Sequence, residues 1–215
     1  MTIYICGDST AASYPPEQAP MTGWGQVLGE FLPGIRIENR AMAGRSTKSF
    51  LAEGRLKRIE EELLPGDVLL IQFTHNDLSD REERHTDPWT TFRANLDVFI
   101  DTALRHGARP VLLTPICRQK WENGQLVHLH GEYPEVIRTA ARERGISLID
   151  MEKASEDIVR ALGEKESAKL YMNLEAGVWP AYPEGRKDDA HTCRAGAEAY
   201  ARIAAEGLRR LGIPE

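Results

Sequence analysis

The chain has 215 residues, of which 41% are hydrophobic and 28% are charged, and its formal net charge is −6. These values are typical of a globular protein with a full core, and we expect one domain over residues 1–215. Acidic and basic residues are interspersed, which excludes the basic face of a nucleic-acid-binding protein, and no apolar run reaches transmembrane length.

Short apolar runs alternate with amphipathic segments along the whole chain. Strands are predicted over residues 3–6, 35–39, 67–73, 110–114 and 146–150. Helices are predicted over residues 23–31, 47–64, 90–105, 133–144 and 195–211, with Gly54 a candidate break in the second. This alternation predicts a three-layer α/β/α sandwich around a five-stranded parallel sheet with flavodoxin-like strand order. Two loop-rich insertions, 118–133 and 170–188, are expected near the carboxyl edge of the sheet.

The first predicted strand is followed by Gly-Asp-Ser-Thr at residues 7–10, which places Ser9 at the carboxyl end of that strand. Doubly wound α/β folds hold their ligands at this edge of the sheet. A serine hydroxyl needs a base to remove its proton, and Asp-Asp-Ala-His at residues 188–191 supplies His191 for that role. Asp188 is suited to fix the tautomer of His191. We therefore predict that Ser9, His191 and Asp188 form a catalytic triad.

Attack by Ser9 on a carbonyl creates an oxyanion, which needs hydrogen-bond donors already in place. The Ser9 backbone N–H is one candidate, Gly44 after the second strand is another, and the Asn76 side chain after the third strand completes the set. Taken singly, Gly44, Asn76 and the Asp188–His191 pair are more typical of turns and helix caps, and only the Gly-Asp-Ser-Thr block favours catalysis by itself. The catalytic interpretation rests on their occurrence together, in this order and at these strand ends.

These blocks resemble the GDSL/SGNH hydrolase family. The family's nucleophile block matches residues 7–10, its oxyanion glycine matches Gly44, and its Asp-x-x-His block matches residues 188–191. Its Gly-x-Asn-Asp block matches residues 74–77, although Thr74 stands where the family usually has glycine. The chain is most similar to the rhamnogalacturonan acetylesterase branch, through Gly-Asp-Ser-Thr, Asn-Arg-Ala-x-x-Gly-Arg-Ser at 39–46, His-Asn-Asp at 75–77, His-Gly-Glu-Tyr-Pro at 130–134 and Tyr-Pro-x-Gly-x-x-Asp at 182–188.

The resemblance implies a single SGNH-hydrolase domain that acts as a serine esterase on acetylated pectin-derived oligosaccharides and uses no metal or organic cofactor. A lipase-like or thioester hydrolase of the same superfamily is the first alternative, and it would need an apolar acyl groove where the insertions here are polar and aromatic. A sugar-binding protein that has lost catalysis is the second alternative, and it would tolerate loss of Ser9.

Further residues are candidates for substrate binding. Asp8 and His75 adjoin the predicted catalytic groups, while Trp179 and Tyr182 in the second insertion either stack on sugar faces or hold their loop in place. His128 and His130 have a metal-like spacing, but no carboxylate cluster is evident beside them, and we expect neither to bind a metal.

The remaining expectations concern redox state, location and assembly. Three widely spaced cysteines, Cys6, Cys117 and Cys193, suggest no disulfide framework. A cleaved leader would remove Ser9, so the protein is expected to be cytoplasmic if Met1 is its natural start. The expected partner is an acetylated oligosaccharide, with no nucleic acid and no membrane, and the oligomeric state is left open.

Overall fold

A five-stranded parallel sheet forms the centre of the computed structural model, which describes residues 1–213. The strands of the sheet are β1 (Thr2–Gly7), β2 (Arg36–Asn39), β3 (Val68–Gln72), β4 (Arg109–Leu113) and β7 (Ser147–Ile149). A separate antiparallel pair, β5 (Trp121–Glu122) and β6 (Gln125–Leu126), lies between β4 and β7 in the chain. The order across the sheet is β2-β1-β3-β4-β7, with every neighbouring pair parallel. The predicted α/β class and flavodoxin-like order are confirmed, and each predicted strand boundary is within one residue of the observed one.

Helices cover both faces of this sheet. They are α1 (Trp24–Phe31), α2 (Thr47–Ala52), α3 (Arg55–Glu60), α4 (Arg93–Arg105), α5 (Tyr133–Arg144), α6 (Met151–Ser167) and α7 (Arg194–Arg210). The predicted helix over residues 47–64 is divided into α2 and α3 because Gly54 adopts a left-handed conformation with a φ of 66°. A π-helical turn, Pro88–Phe92, leads into α4.

The side chains of β1 alternate between two buried clusters, as its pleat requires. Ile3 and Ile5 pack with residues of α1, α6 and α7, whereas Tyr4 and Cys6 pack on the opposite face with residues of α2 to α5. Each fully buried aliphatic side chain of this kind contributes about 1.5–3 kcal/mol of transfer free energy. The three layers therefore follow from strands that are apolar on both faces.

Helix α6 was not predicted from the sequence. Three of the residues that it buries, Glu152, Ser155 and Ser167, are polar, so the apolar periodicity that would reveal a helix is weak. Asp150 was assigned to the end of the last strand, but it caps α6 by accepting a hydrogen bond from the Lys153 N–H at 3.2 Å. Carboxylates of this helix face histidines of the first insertion.

The first insertion, which is predicted to be a loop, contains the β5–β6 hairpin. Asn123 and Gly124 form its turn with φ angles of 51° and 75°. Asn-Gly is a strong signal for such a turn, so the hairpin was detectable from sequence. Within residues 1–213, none of the helices combines the length and apolar character needed to cross a membrane.

Candidate active site

The carboxyl ends of three neighbouring strands meet at one edge of the sheet. Gly7 of β1 lies opposite Gln72 of β3, and Ile5 lies opposite Asn39 of β2. The loop after β2 is tied to β1, because the Met42 N–H donates to the Gly7 carbonyl at 3.0 Å. The segments that carry Ser9, Gly44 and Asn76 therefore leave the sheet side by side.

Ser9 lies in a tight turn directly after β1. The N–H groups of Ala11 and Ala12 donate to the Asp8 carbonyl at 3.3 and 3.1 Å, and the Tyr14 hydroxyl donates to the Ser9 carbonyl at 2.6 Å. The side chain of Asn39 donates to the Ala11 carbonyl at 2.8 Å and holds the far end of the turn. These bonds fix the backbone around Ser9, which is 7% exposed.

Three hydrogen-bond donors remain available beside this turn. Within residues 1–213, no hydrogen bond uses the backbone N–H of Ser9 or that of Gly44. Gly44 has a φ of 79°, a conformation that favours glycine. The Asn76 side-chain amide donates to the Arg45 carbonyl at 3.1 Å, which holds it beside the Gly44 loop and leaves its second N–H free. The three donors predicted from the sequence thus lie on loops that follow the neighbouring strands β1, β2 and β3.

Buried Asp77 holds the loops of Gly44 and Asn76 together, a role that its sequence context does not predict. Its carboxylate accepts hydrogen bonds from the Thr47 N–H at 3.1 Å, the Thr47 hydroxyl at 2.6 Å and the Thr86 hydroxyl at 3.0 Å. Burial raises the pKa of Asp77 to about 7, although these donors favour the ionised form. Because Thr47 begins α2 just after the Gly44 loop, Asp77 positions that loop relative to Asn76.

His191 and Asp188 are in direct contact. The two residues are joined by a hydrogen bond of 2.8 Å between His191 Nδ1 and Asp188 Oδ2, while the N–H groups of Ala190 and His191 donate to Asp188 Oδ1 at 3.0 and 2.9 Å. Burial raises the pKa of Asp188, but its hydrogen bonds from His191 outweigh burial and hold that pKa well below its ordinary value. Arg186 adds a further hydrogen bond to Oδ2 at 3.0 Å. The ionised carboxylate is thereby fixed to orient the imidazole.

The loop that carries His191 is attached to the segment that follows Ser9. The Thr22 N–H donates to the Thr192 carbonyl at 3.0 Å, and the Thr192 hydroxyl donates back to the Thr22 carbonyl. In the described residues no hydrogen bond joins the Ser9 hydroxyl to His191, which is common in the absence of substrate, when such catalytic contacts are long.

The candidate substrate-binding residues Asp8 and His75 lie at the same strand ends. Asp8 is fully buried, and its Oδ1 accepts hydrogen bonds from the Thr10 N–H and hydroxyl at 2.9 and 2.8 Å. His75 packs edge-on against His130, with Nδ1 of His75 lying 3.4 Å from Nε2 of His130. Burial lowers the pKa of His75 and keeps its imidazole neutral.

The aromatic residues of the second insertion occupy different places. Tyr182 donates its hydroxyl to the Gln18 carbonyl at 3.2 Å, and the Arg186 guanidinium lies over its ring at 5.5 Å. Tyr182 thus supports the arginine that contacts Asp188. Trp179 lines a cavity of about 430 Å³ whose lining includes none of the triad residues.

Carboxylates do pair with His128 and His130, contrary to the sequence analysis. His128 Nδ1 lies 2.7 Å from Glu156 Oε1, and His130 Nδ1 lies 3.3 Å from Glu152 Oε1. Both glutamates belong to α6, the helix that was not predicted, which explains the omission. Glu152 is further engaged by Arg138 at 2.9 Å, so its carboxylate already has partners within the chain.

Comparison with known proteins gives consistent matches over nearly the whole chain. The model of the GDSL-like lipase/acylhydrolase family matches residues 5–163. Rhamnogalacturonan acetylesterase RhgT of Bacillus subtilis (strain 168) is 41% identical over 214 residues, or 99% of this chain and 91% of RhgT. The probable rhamnogalacturonan acetylesterase YesY of the same strain is 36% identical, over 99% and 94% of the two chains. The solved structure of YxiM from Bacillus subtilis superposes with a TM-score of 0.84 at 29% identity, and the match covers 99% of this chain but only 57% of that one.

Proposed function

The chain belongs to the GDSL-like lipase/acylhydrolase family, and we propose that it is a serine esterase that removes acetyl groups from a carbohydrate. The proposed substrates are pectin-derived oligosaccharides of the rhamnogalacturonan type. The names of its relatives RhgT and YesY support this substrate class. The single observation that carries the mechanism is the Asp188–His191 hydrogen bond beside a serine turn with unused N–H donors.

The first half of the proposed reaction forms an acetyl-enzyme. His191 Nε2 removes the proton of the Ser9 hydroxyl as the serine oxygen attacks the acetyl carbonyl carbon. Asp188 holds the proton on Nδ1 of His191 and stabilises the imidazolium that forms. His191 then gives its proton to the departing sugar oxygen as the carbon–oxygen bond of the ester breaks. The products of this half are the free sugar hydroxyl and an acetyl group on Ser9.

The second half repeats these steps with water. His191 takes a proton from water as the water oxygen attacks the acetyl group, and it returns the proton to Ser9 when acetate leaves. In both halves the negative oxygen is held by the N–H groups of Ser9 and Gly44 and by the free amide N–H of Asn76. Each such donor contributes about 2.7–4 kcal/mol to catalysis in comparable sites.

Acetate release from a panel of acetylated oligosaccharides tests this proposal. The panel contains acetylated rhamnogalacturonan, xylan and chitin oligosaccharides, and p-nitrophenyl octanoate represents the lipase-like alternative. We expect release from the rhamnogalacturonan oligosaccharides and little hydrolysis of octanoate, since the insertions are polar and aromatic. A higher kcat/KM for octanoate than for p-nitrophenyl acetate would favour the lipase-like alternative. Binding of the oligosaccharides without acetate release would favour the sugar-binding alternative.

A further inference from the structure

Partly buried arginines in this structure are paired with carboxylates, with one exception. In residues 1–213, every partly buried arginine except Arg84 has a guanidinium nitrogen within 3.0 Å of a carboxylate oxygen, as Arg40 and Arg118 illustrate. Over the same residues, Arg84 forms no ion pair, and its side chain makes no hydrogen bond. A partly desolvated cation without a counter-charge is unfavourable, so an arginine left in this state is expected to serve a ligand.

Acidic residues near Arg84 in the sequence do not neutralise it. Asp80, Glu82, Glu83 and Asp87 share its loop, yet none of them forms an ion pair with Arg84 in the part of the chain that the structure describes. The loop is instead held through its backbone, since the Arg84 N–H donates to the Arg81 carbonyl at 2.9 Å and the Thr86 N–H donates to the Asp77 carbonyl at 3.1 Å. The guanidinium is thus presented by a fixed loop without a carboxylate of its own.

The unpaired guanidinium lies beside the candidate oxyanion donors. A methyl group added at Gly44 would lie 3.4 Å from Nη2 of Arg84 and 3.7 Å from Nη1. The loop of Arg84 is attached to Asp77, the neighbour of Asn76 in the chain. Arg84 therefore borders the position where the ester carbonyl binds in the proposed reaction.

We propose that Arg84 binds a substrate carboxylate, that of a uronic acid residue in the sugar chain that carries the acetyl ester. The inference rests on the proposed esterase function and adds a specificity-determining residue to it. A planar guanidinium matches a carboxylate through two parallel N–H···O hydrogen bonds, which a neutral sugar does not offer. Because Arg84 lies against Gly44, the carboxylate belongs to the acetylated sugar or to a sugar close to it in the chain.

The test compares an acetylated uronic-acid oligosaccharide as the free acid with its methyl ester, which has the same sugars without the charge. Steady-state kinetics of acetate release give kcat/KM for each substrate, and the ratio of free acid to methyl ester is the quantity of interest. Arg84→Gln removes the charge and Arg84→Lys retains it without the planar fork. Arg81→Gln is the matched control, because Arg81 is an exposed arginine of the same loop that forms no ion pair with the described residues.

Arg84→Gln is expected to lower this ratio about 10- to 100-fold, mainly through KM, as loss of hydrogen bonds to a charged group does. Arg84→Lys should retain part of the ratio, and Arg81→Gln should leave it at the wild-type value. An unchanged ratio in Arg84→Gln would overturn the inference. This includes an equal fall in kcat/KM for both substrates, which would mean that Arg84 acts on the oxyanion and not on a carboxylate. If the ratio is unchanged but acetate is still released from the methyl ester, the proposed esterase function is retained.

A second measurement does not depend on the folding of a variant. In the wild-type enzyme, kcat/KM for the free acid should fall as salt is added, whereas that for the methyl ester should change little. Equal salt dependence of the two substrates would overturn the role of Arg84. Absence of acetate release from either sugar, with p-nitrophenyl acetate still hydrolysed, would instead overturn the carbohydrate esterase proposal together with this inference.

Discussion

Thr74 offers a quantitative test of how the turn at the candidate site is built. It follows β3 and precedes His75 and Asn76, and it has a φ of 150°, a left-handed value that favours glycine. The residue is fully buried, and its hydroxyl has no hydrogen-bond partner in the described part of the chain. The turn forms nonetheless, because the Asp77 N–H donates to the Thr74 carbonyl at 3.0 Å. Thr74→Gly should therefore relieve two unfavourable features and keep the turn.

The expected gain can be estimated from the separate contributions. Relief of backbone strain is worth about 1–3 kcal/mol, and removal of an unpartnered buried hydroxyl is worth about 1–3 kcal/mol. Against these, glycine costs about 0.5–1 kcal/mol of conformational entropy, and the lost carbons cost about 0.8 kcal/mol each. We expect Thr74→Gly to raise the free energy of unfolding by about 1–2 kcal/mol, and to raise Tm by roughly 2–4 °C for each kcal/mol.

Urea denaturation of wild type, Thr74→Gly and Thr74→Ala provides the measurement. Thr74→Ala removes the hydroxyl and keeps a Cβ atom at the same φ, so the difference between the two variants reports the backbone strain less the entropy cost of glycine and the contribution of one buried carbon. Acetyl-ester hydrolysis should stay within a few-fold of wild type in Thr74→Gly, because Asn76 remains bonded to the Arg45 carbonyl. A Thr74→Gly protein less stable than wild type would refute the reasoning.

Three further predictions follow from the site. Asn76→Ala should lower kcat roughly 10²–10³-fold with little change in KM, because its amide stabilises charge that appears only in the transition state; a kcat within a few-fold of wild type in a folded variant would contradict this. The pKa of Asp188 is lowered by folding, so its contribution to stability is present above its unfolded pKa of about 4 and is lost as the pH falls through the folded pKa. Asp188→Asn should therefore be less stable than wild type at pH about 7, with a difference that narrows in acid; urea denaturation across pH that gave a constant difference would argue against this. Dialysis against EDTA should leave esterase activity unchanged, and loss restored by a divalent ion would implicate the cluster of His128, Glu152 and Glu156.

The strands of the sheet were predictable because each one is marked by a pattern within a few consecutive residues. Continuous apolar runs at 68–71 and 111–113 indicate strands covered on both faces, and alternation with helices then favours parallel order. The family was predictable because its blocks fall at strand ends, and the match over residues 5–163 confirms it. The helix α6 escaped prediction because it buries polar residues that bind across to the first insertion. The expected single domain and cytoplasmic location stay predictions.

The supporting residues of the site could not be predicted, because they act through contacts distant in sequence or without a periodic pattern. The Asp77 carboxylate accepts from the Thr47 N–H across 30 residues, and the Asp188 N–H donates to the Asn173 side-chain oxygen across 15 residues. Tyr14 and Arg186 are closer in sequence to the groups that they support, yet a single hydroxyl or guanidinium in a loop carries no signal of its target. The reacting groups can thus be predicted from the sequence, whereas the contacts that orient them depend on the fold.

Acetate release by a Ser9→Ala variant tests the central claim most directly. The measurement uses acetylated rhamnogalacturonan oligosaccharides, with Ser13→Ala as the control because Ser13 is an exposed serine of the same segment. Ser9→Ala should lose activity by a factor on the order of 10⁶, since triad residues act as a unit, while Ser13→Ala should resemble wild type. Wild-type-like acetate release by a folded Ser9→Ala protein would contradict the account.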